Sequence, residues 1–245
     1  MKHRLTAIFV GLAILALVLP AFGKVFWQWR SGTGSAIFDT TPGWQRIYQS
    51  NIRINGGRGH LKIMGCEDAI PSVMAKLRTA FTAAHPGALF RHNTSGGWSL
   101  IRTADAVIRT LVLNLGTSTP TMVFVLTQSH ADYEQSLKPP PTHLLNAAPF
   151  YPGSITQSFM EDEEAAAQLE ISSAPARPES VWSFLESAFD QNGYHRMQAA
   201  GKRDQADSGI AVFQKGPSLC YVLVQAAPHS NESTITVLHK QLRME

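Results

Sequence analysis

Ile70-Pro71-Ser72-Val73-Met74-Ala75-Lys76-Leu77-Arg78-Thr79-Ala80-Phe81, led in by Leu61 and Ile63, decides the fold because the pattern returns 108 residues later. Leu61, Ile63, Val73, Leu77, Ala80 and Phe81 are matched by Leu169, Ile171, Val181, Leu185, Ala188 and Phe189. An offset held through a strand and a helix reads as an internal duplication. Ile70, Val73, Met74, Leu77, Phe81 and Ala84 recur at the spacing of one helical face. Pro71 suits the first turn, Asp68 suits the N-cap, and His85-Pro86-Gly87 stops the helix. In the second half Arg177-Pro178-Glu179 opens the equivalent helix, Val181, Phe184, Leu185, Ala188 and Phe189 turn inward, and Asn192-Gly193 closes it.

Around each helix lie short apolar runs separated by turn residues. Gln45 to Ile54 and His60 to Met64 flank Asn55-Gly56-Gly57-Arg58-Gly59, whose tolerance of positive φ predicts a β-hairpin. A phosphate cradle would need a helix directly after the glycines, and a strand follows instead. Further strands are predicted at Ala88 to His92, Trp98 to Thr103, Val107 to Leu115 and Met122 to Gln128. In the second half they fall at Tyr194 to Gln198, Ile210 to Gln214, Leu219 to Gln225 and Thr234 to His239. The expected fold class is α+β. It consists of two tandem ββαβββ copies, with room for an extra strand after the helix, each an antiparallel sheet with one helix on one face. Leu111, Leu113 and Leu115 are expected under the helix, as are Tyr221 and Leu223 at an offset of 110. Thr110, Val112, Asn114, Cys220, Val222 and Val224 are then expected on the uncovered face. That face needs a partner layer, so these residues are the candidate interface.

Met1-Lys2-His3-Arg4 followed by the apolar run Leu5 to Leu19 and Ala21-Phe22-Gly23 has the layout of an export signal. The same run is marginal in length for a membrane anchor, which Trp27 and Trp29 would suit at a bilayer surface. Residues 1–23 are therefore a signal peptide or an N-terminal membrane anchor. Both readings place the remainder in the periplasm or outside the inner membrane. Residues 24–43 read as a flexible Gly/Ser/Thr tether and 44–128 as the first repeat. Residues 129–150, with Lys138-Pro139-Pro140-Pro141, read as a Pro-rich linker, and 151–245 as the second repeat.

The net charge of +3 conceals an asymmetry. Nine Lys or Arg against three acids give Trp44 to Gln128 a charge of +6, whereas seven bases against twelve acids give Tyr151 to Glu245 a charge of −5. Opposite signs on two related domains allow head-to-tail association, so a homo-oligomer is among the expected partners. Nucleic acid is not, because the bases are spread without an interleaved aromatic series.

No motif carries chemistry. The two cysteines, Cys66 and Cys220, are a candidate disulfide stapling the halves in an oxidising compartment; Glu67 and Asp68 beside Cys66 disfavour a reactive thiol. His85 and His92, His130 and His143, and His229 and His239 lack metal-ligand spacing. Neither Gly-x-Ser-x-Gly nor Ser-x-x-Lys occurs. Glu161-Asp162-Glu163-Glu164 lacks the spaced ligands of a calcium loop and reads as a solvated hairpin loop. Trp182 lies off the main helical stripe and joins the candidate interface. No catalytic residue, cofactor site or metal site is expected. The chain is expected to be an exported or tethered non-enzymatic protein that binds a protein or cell-envelope component. The alternative is an enzyme or small-ligand carrier with its site in a cleft between the repeats.

Overall fold

A computed structural model of the chain describes residue 38 and residues 41–94, 96–114, 120–140, 143–197, 208–227 and 231–242. These residues form two compact units, one ending at Leu137 and the other beginning at Lys138. The fold is α+β and mostly antiparallel sheet. The segment 1–23 lies outside the described residues. Among the described residues no helix is long and apolar enough to cross a membrane.

The first unit runs β1 (Gln45–Ile54), β2 (Gly57–Cys66), α1 (Ile70–Thr82), β3 (Leu89–His92), β4 (Gly96–Arg102), β5 (Val107–Asn114), β6 (Thr121–Gln128) and α2 (His130–Ser136). Its strands lie in the order β3-β4-β5-β6-β2-β1, every neighbour antiparallel. Val73, Met74, Leu77 and Phe81 of α1 bury against Met64, Cys66, Ile101, Ile108, Val112, Val123 and Val125. Gly97 in β4 makes room for this contact, because a Cβ there would stand 2.8 Å from the Met74 sulfur. Asp68 does not cap α1. The N-cap is Ala69, and Asp68 instead accepts from Lys76 Nζ at 2.6 Å and Trp44 Nε1 at 3.3 Å. These contacts, Lys76 first, hold its carboxyl below the usual range. Phe38, inside the expected tether, is fully buried between the rings of Trp44 and Phe81. At that residue the segment is core, since an exposed Phe would forgo about 2 kcal/mol of burial.

The hairpin between β1 and β2 is tighter than expected. Asn55 at φ 50° and Gly56 at φ 86° form the two-residue turn, so Gly57 already belongs to β2. The segment after β6, expected as linker, is helical. Ser129 caps α2 by accepting from the Asp132 amide, and the helix lies against the hairpin. Arg58 N donates to Asp132 Oδ1 at 2.9 Å, Asn55 Nδ2 to Ser136 O at 3.0 Å, and Gln135 Nε2 to Asn55 O at 3.1 Å. Gly57 permits the approach, because a Cβ there would fall 2.1 Å from the Asp132 carbonyl oxygen.

The second unit contains β7 (Ile155–Asp162), β8 (Ala167–Ala174), α3 (Pro178–Gln191), β9 (His195–Met197), β10 (Ser208–Lys215), β11 (Ser218–Ala226) and β12 (Ser233–Gln241). The strand order is β7-β8-β12-β11-β10-β9. Val181, Leu185 and Phe189 of α3 pack on Ala211, Phe213, Cys220, Val222, Val224, Ile235 and Val237. Phe189 stacks on Phe213 at 4.2 Å and meets Tyr194 edge-on at 5.2 Å. Leu145 and Ala148, inside the expected linker, are part of this core. The buried Glu170 of β8 holds that segment. It accepts from His143 Nδ1 at 2.7 Å, Thr156 Oγ1 at 3.0 Å, and the amides of Leu144 and Leu145 at 3.2 and 3.1 Å.

Candidate functional site

In each unit the helix covers the strand face opposite to the one expected. Val112 packs under α1, and Cys220, Val222 and Val224 pack under α3, all fully buried. Thr110 shares the helix face and bonds Ser99 across the sheet at 2.6 Å with both hydroxyls buried. Only Asn114, at the end of β5, is exposed. Trp182 is half-buried against the second unit's own core. Of the candidate interface, Thr110, Val112, Cys220, Val222 and Val224 are thus core residues. The cause is that both faces of β5 and β11 are largely apolar, so alternation fixes two sets but not which one meets the helix.

The face away from α3 is therefore the informative one. Register places Met197 beside Val212, Val212 beside Tyr221 and Ile210 beside Leu223. Ile210 is 55% and Met197 45% exposed, while Val212, Tyr221 and Leu223 are half-buried. Farther along the same face Met160, Leu169, Ile171 and Leu238 are buried. The strip is thus an apolar margin next to these buried residues, with no charged residue on its five positions.

In the first unit the corresponding margin is cationic. Leu89 pairs with Leu100 and Arg91 with Trp98, all on the face away from α1. Leu89 is 52% exposed, and Trp98 and Leu100 are half-buried. Arg102 and Arg109 share this face and lie over the Tyr133 ring at 4.9 and 5.3 Å. Arg109 is buried, donating to Gln128 Oε1 at 2.5 Å and Ser136 Oγ at 3.5 Å. Its burial pulls the guanidinium down to about 10.

One nucleophile and one base do meet. Ser218 Oγ lies 2.7 Å from His239 Nε2 and 3.3 Å from the Tyr194 hydroxyl, which donates to Ala147 O at 2.7 Å. Among the described residues no carboxylate is hydrogen-bonded to His239, so the pair lacks the group that orients the base in a triad. Cys220 beside it is fully buried, and desolvation pushes its thiol up to about 12. The arrangement ties the end of the core together. Desolvation lowers the His239 pKa, so the unfolded chain takes up this proton first and stability falls as pH drops below about 6.5. Urea midpoints at pH 7.5 and 5.5 should show a loss that His239→Gln reduces.

The cysteines are unpaired, each buried in its own unit's core. Burial raises the Cys66 thiol as well. The expected disulfide is thus replaced by two apolar packing positions. Native protein should leave both thiols unmodified by Ellman's reagent over an hour, and unfolding should expose two. Labelling of one thiol in the folded chain would contradict the buried placement.

Among the described residues no group of three His, Cys, Asp or Glu is arranged to hold a metal ion. An open groove of about 680 Å³ runs along the outer side of α3, lined by Glu179, Ser180, Ser183, Phe184, Ser187 and Gln191. It holds no convergent pair of catalytic groups.

No protein-family model matches the chain, and no curated protein matches it. Among solved structures it is similar to the apo structure of the immunity protein TplEi of T6SS from Pseudomonas aeruginosa. That match is 9% identical, covers 83% of this chain and 84% of that chain, and has a TM-score of 0.23. A likeness at that level carries no argument about fold or function. Sequence reading missed both margins because it assigned the opposite face to the helix. It missed the Ser218–His239 contact because only the β11–β12 register brings the two together.

Proposed function

We propose that the chain is an exported or membrane-tethered, non-enzymatic protein built from two tandem copies of one α+β domain, and that it binds a protein or cell-envelope component. The observation that carries this reading is the apolar margin on the second unit, where Ile210 and Met197 stand in solvent beside Val212, Tyr221 and Leu223. Large apolar side chains grouped on one face mark an interaction surface. The duplication rests on the 108-residue echo and on a helix that follows the second strand of each unit. The N-terminal apolar segment supports export or tethering.

The test is a photo-crosslinking residue at position 210 in the full chain, expressed in its native envelope, with position 187 on α3 as control. One protein or envelope adduct specific to position 210, lost on Tyr221→Lys, is expected. Identical adducts at both positions, or none, would defeat the reading. Ile210→Lys should change folding stability by no more than about 0.5 kcal/mol, because the side chain is largely exposed, while abolishing the adduct partner's co-purification.

A further inference from the structure

Asn55-Gly56 and Asn192-Gly193 are the chain's two Asn-Gly pairs. In such a pair the asparagine carboxamide is most readily lost, because the glycine has no side chain to shield its amide nitrogen. The structure gives the two opposite settings. Asn192, the C-cap of α3, is exposed, and its Nδ2 bonds within its own helix, to Ala188 O at 2.7 Å. Asn55 is 7% exposed and tied to α2 twice. Its Nδ2 donates to Ser136 O at 3.0 Å, and its carbonyl accepts from Gln135 Nε2 at 3.1 Å. Arg58 N, bonded to Asp132 Oδ1, closes the same contact.

We infer that Asn55 is a self-modification site guarded by α2. It becomes aspartate or isoaspartate only while the helix is away from the hairpin, and the change then bars the helix from returning. The Gly56 nitrogen attacks Asn55 Cγ. The N–Cγ bond forms, the Cγ–Nδ2 bond breaks, and Nδ2 leaves as ammonia with the proton that Gly56 gives up. Water then opens the succinimide at either carbonyl. In the closed structure the leaving nitrogen is pinned to Ser136 O, and burial keeps out the water that relays the proton. The rate therefore follows the fraction of chains whose helix is open. After reaction a carboxylate stands where the amide donor stood, against the Ser136 carbonyl oxygen. Two buried acceptors then meet with no hydrogen between them. Isoaspartate also lengthens the backbone of a two-residue turn whose geometry sets the β1–β2 register. This chemistry needs no partner and is independent of the Ile210 margin.

The experiment incubates the full chain at pH 8 and follows both asparagines by peptide mass spectrometry that separates aspartate from isoaspartate. In the folded chain Asn55 should react at least tenfold more slowly than Asn192, and in guanidinium chloride the two rates should agree within threefold. Asp132→Ala removes the acceptor of Arg58 N and leaves Asn55-Gly56 intact. It should speed Asn55 at least fivefold and leave Asn192 unchanged. Asn55→Asp should make residues 129–138 at least tenfold more open to limited proteolysis, whereas Asn192→Asp should not. Equal rates in the folded chain, an Asn55 rate indifferent to Asp132→Ala, or an Asn55→Asp chain whose α2 resists protease as before overturns the inference.

Discussion

Glu170→Leu should lower the stability of the second unit by about 4 kcal/mol, the range seen when one partner of a buried charged network is removed. The carboxylate is 3% exposed and accepts four hydrogen bonds. Without it the amides of Leu144 and Leu145 and the Thr156 hydroxyl lose their acceptor in a site that water reaches poorly. Leu145, fully buried in the α3 core, would then be held by apolar contact and by the Ala148 amide that its carbonyl accepts. Glu170→Gln keeps one acceptor oxygen but turns an amide NH₂ toward donors, and about half the loss is expected. Urea unfolding followed through Trp182, which packs against this core, gives the measurement. A change under 1 kcal/mol for Glu170→Leu would mean that residues 143–145 are held by something other than this carboxylate.

Gly57→Ala should cost the first unit about 3 kcal/mol, the upper end of ordinary overpacking, because the obstruction is backbone. The new Cβ would lie 2.1 Å from the Asp132 carbonyl oxygen and 3.1 Å from the Ser136 amide nitrogen. A flexible side chain could move aside, but here the whole of α2 must shift. Its bonds to Arg58 and Asn55 then break together. Gly87→Ala is the control, since nothing lies within 4 Å of the added atom. It should be neutral, or stabilising by less than about 1 kcal/mol. Trp44 and Trp98 emission reports the sheet, and limited proteolysis between residues 129 and 138 reports α2. Equal stability of the two glycine variants would refute the close approach.

The sequence reveals those parts of the fold that repeat a period, and conceals those that depend on contacts distant in the chain. Val73, Leu77 and Phe81, like Val181, Leu185 and Phe189, announce their helices because one apolar stripe serves one core. The hairpin at Asn55-Gly56 is equally plain from turn chemistry. By contrast, α2 has seven residues and no apolar stripe. It is stabilised by its Ser129 cap and by side chains reaching back to Asn55 and Arg58. The one local signal is Ser129 with Asp132 three residues on, a capping pair without the apolar stripe that would mark a helix after it. Facing was misread for the reason that Leu111 and Val112 are both buried, on opposite sides of one strand. The same ambiguity hid the candidate surfaces, because Ile210 and Val212 alternate with Ala211 and Phe213 and either pair could have faced the helix. Cys66 and Cys220 suggested a bridge by type alone, whereas their burial under separate helices makes each a small apolar residue.

The bonds between α2 and the hairpin turn join residues 74 to 81 positions apart. A chain emerging from the ribosome or a translocation pore therefore completes its first unit only after Ser136 has cleared. Until then the turn at Asn55 and the cation at Arg109 face water. A fragment cut at Gln128, where hydrophobic patterning alone would end the domain, should keep the sheet but lose its latch. One ending at Leu137 should be the shortest piece that folds as the intact unit does.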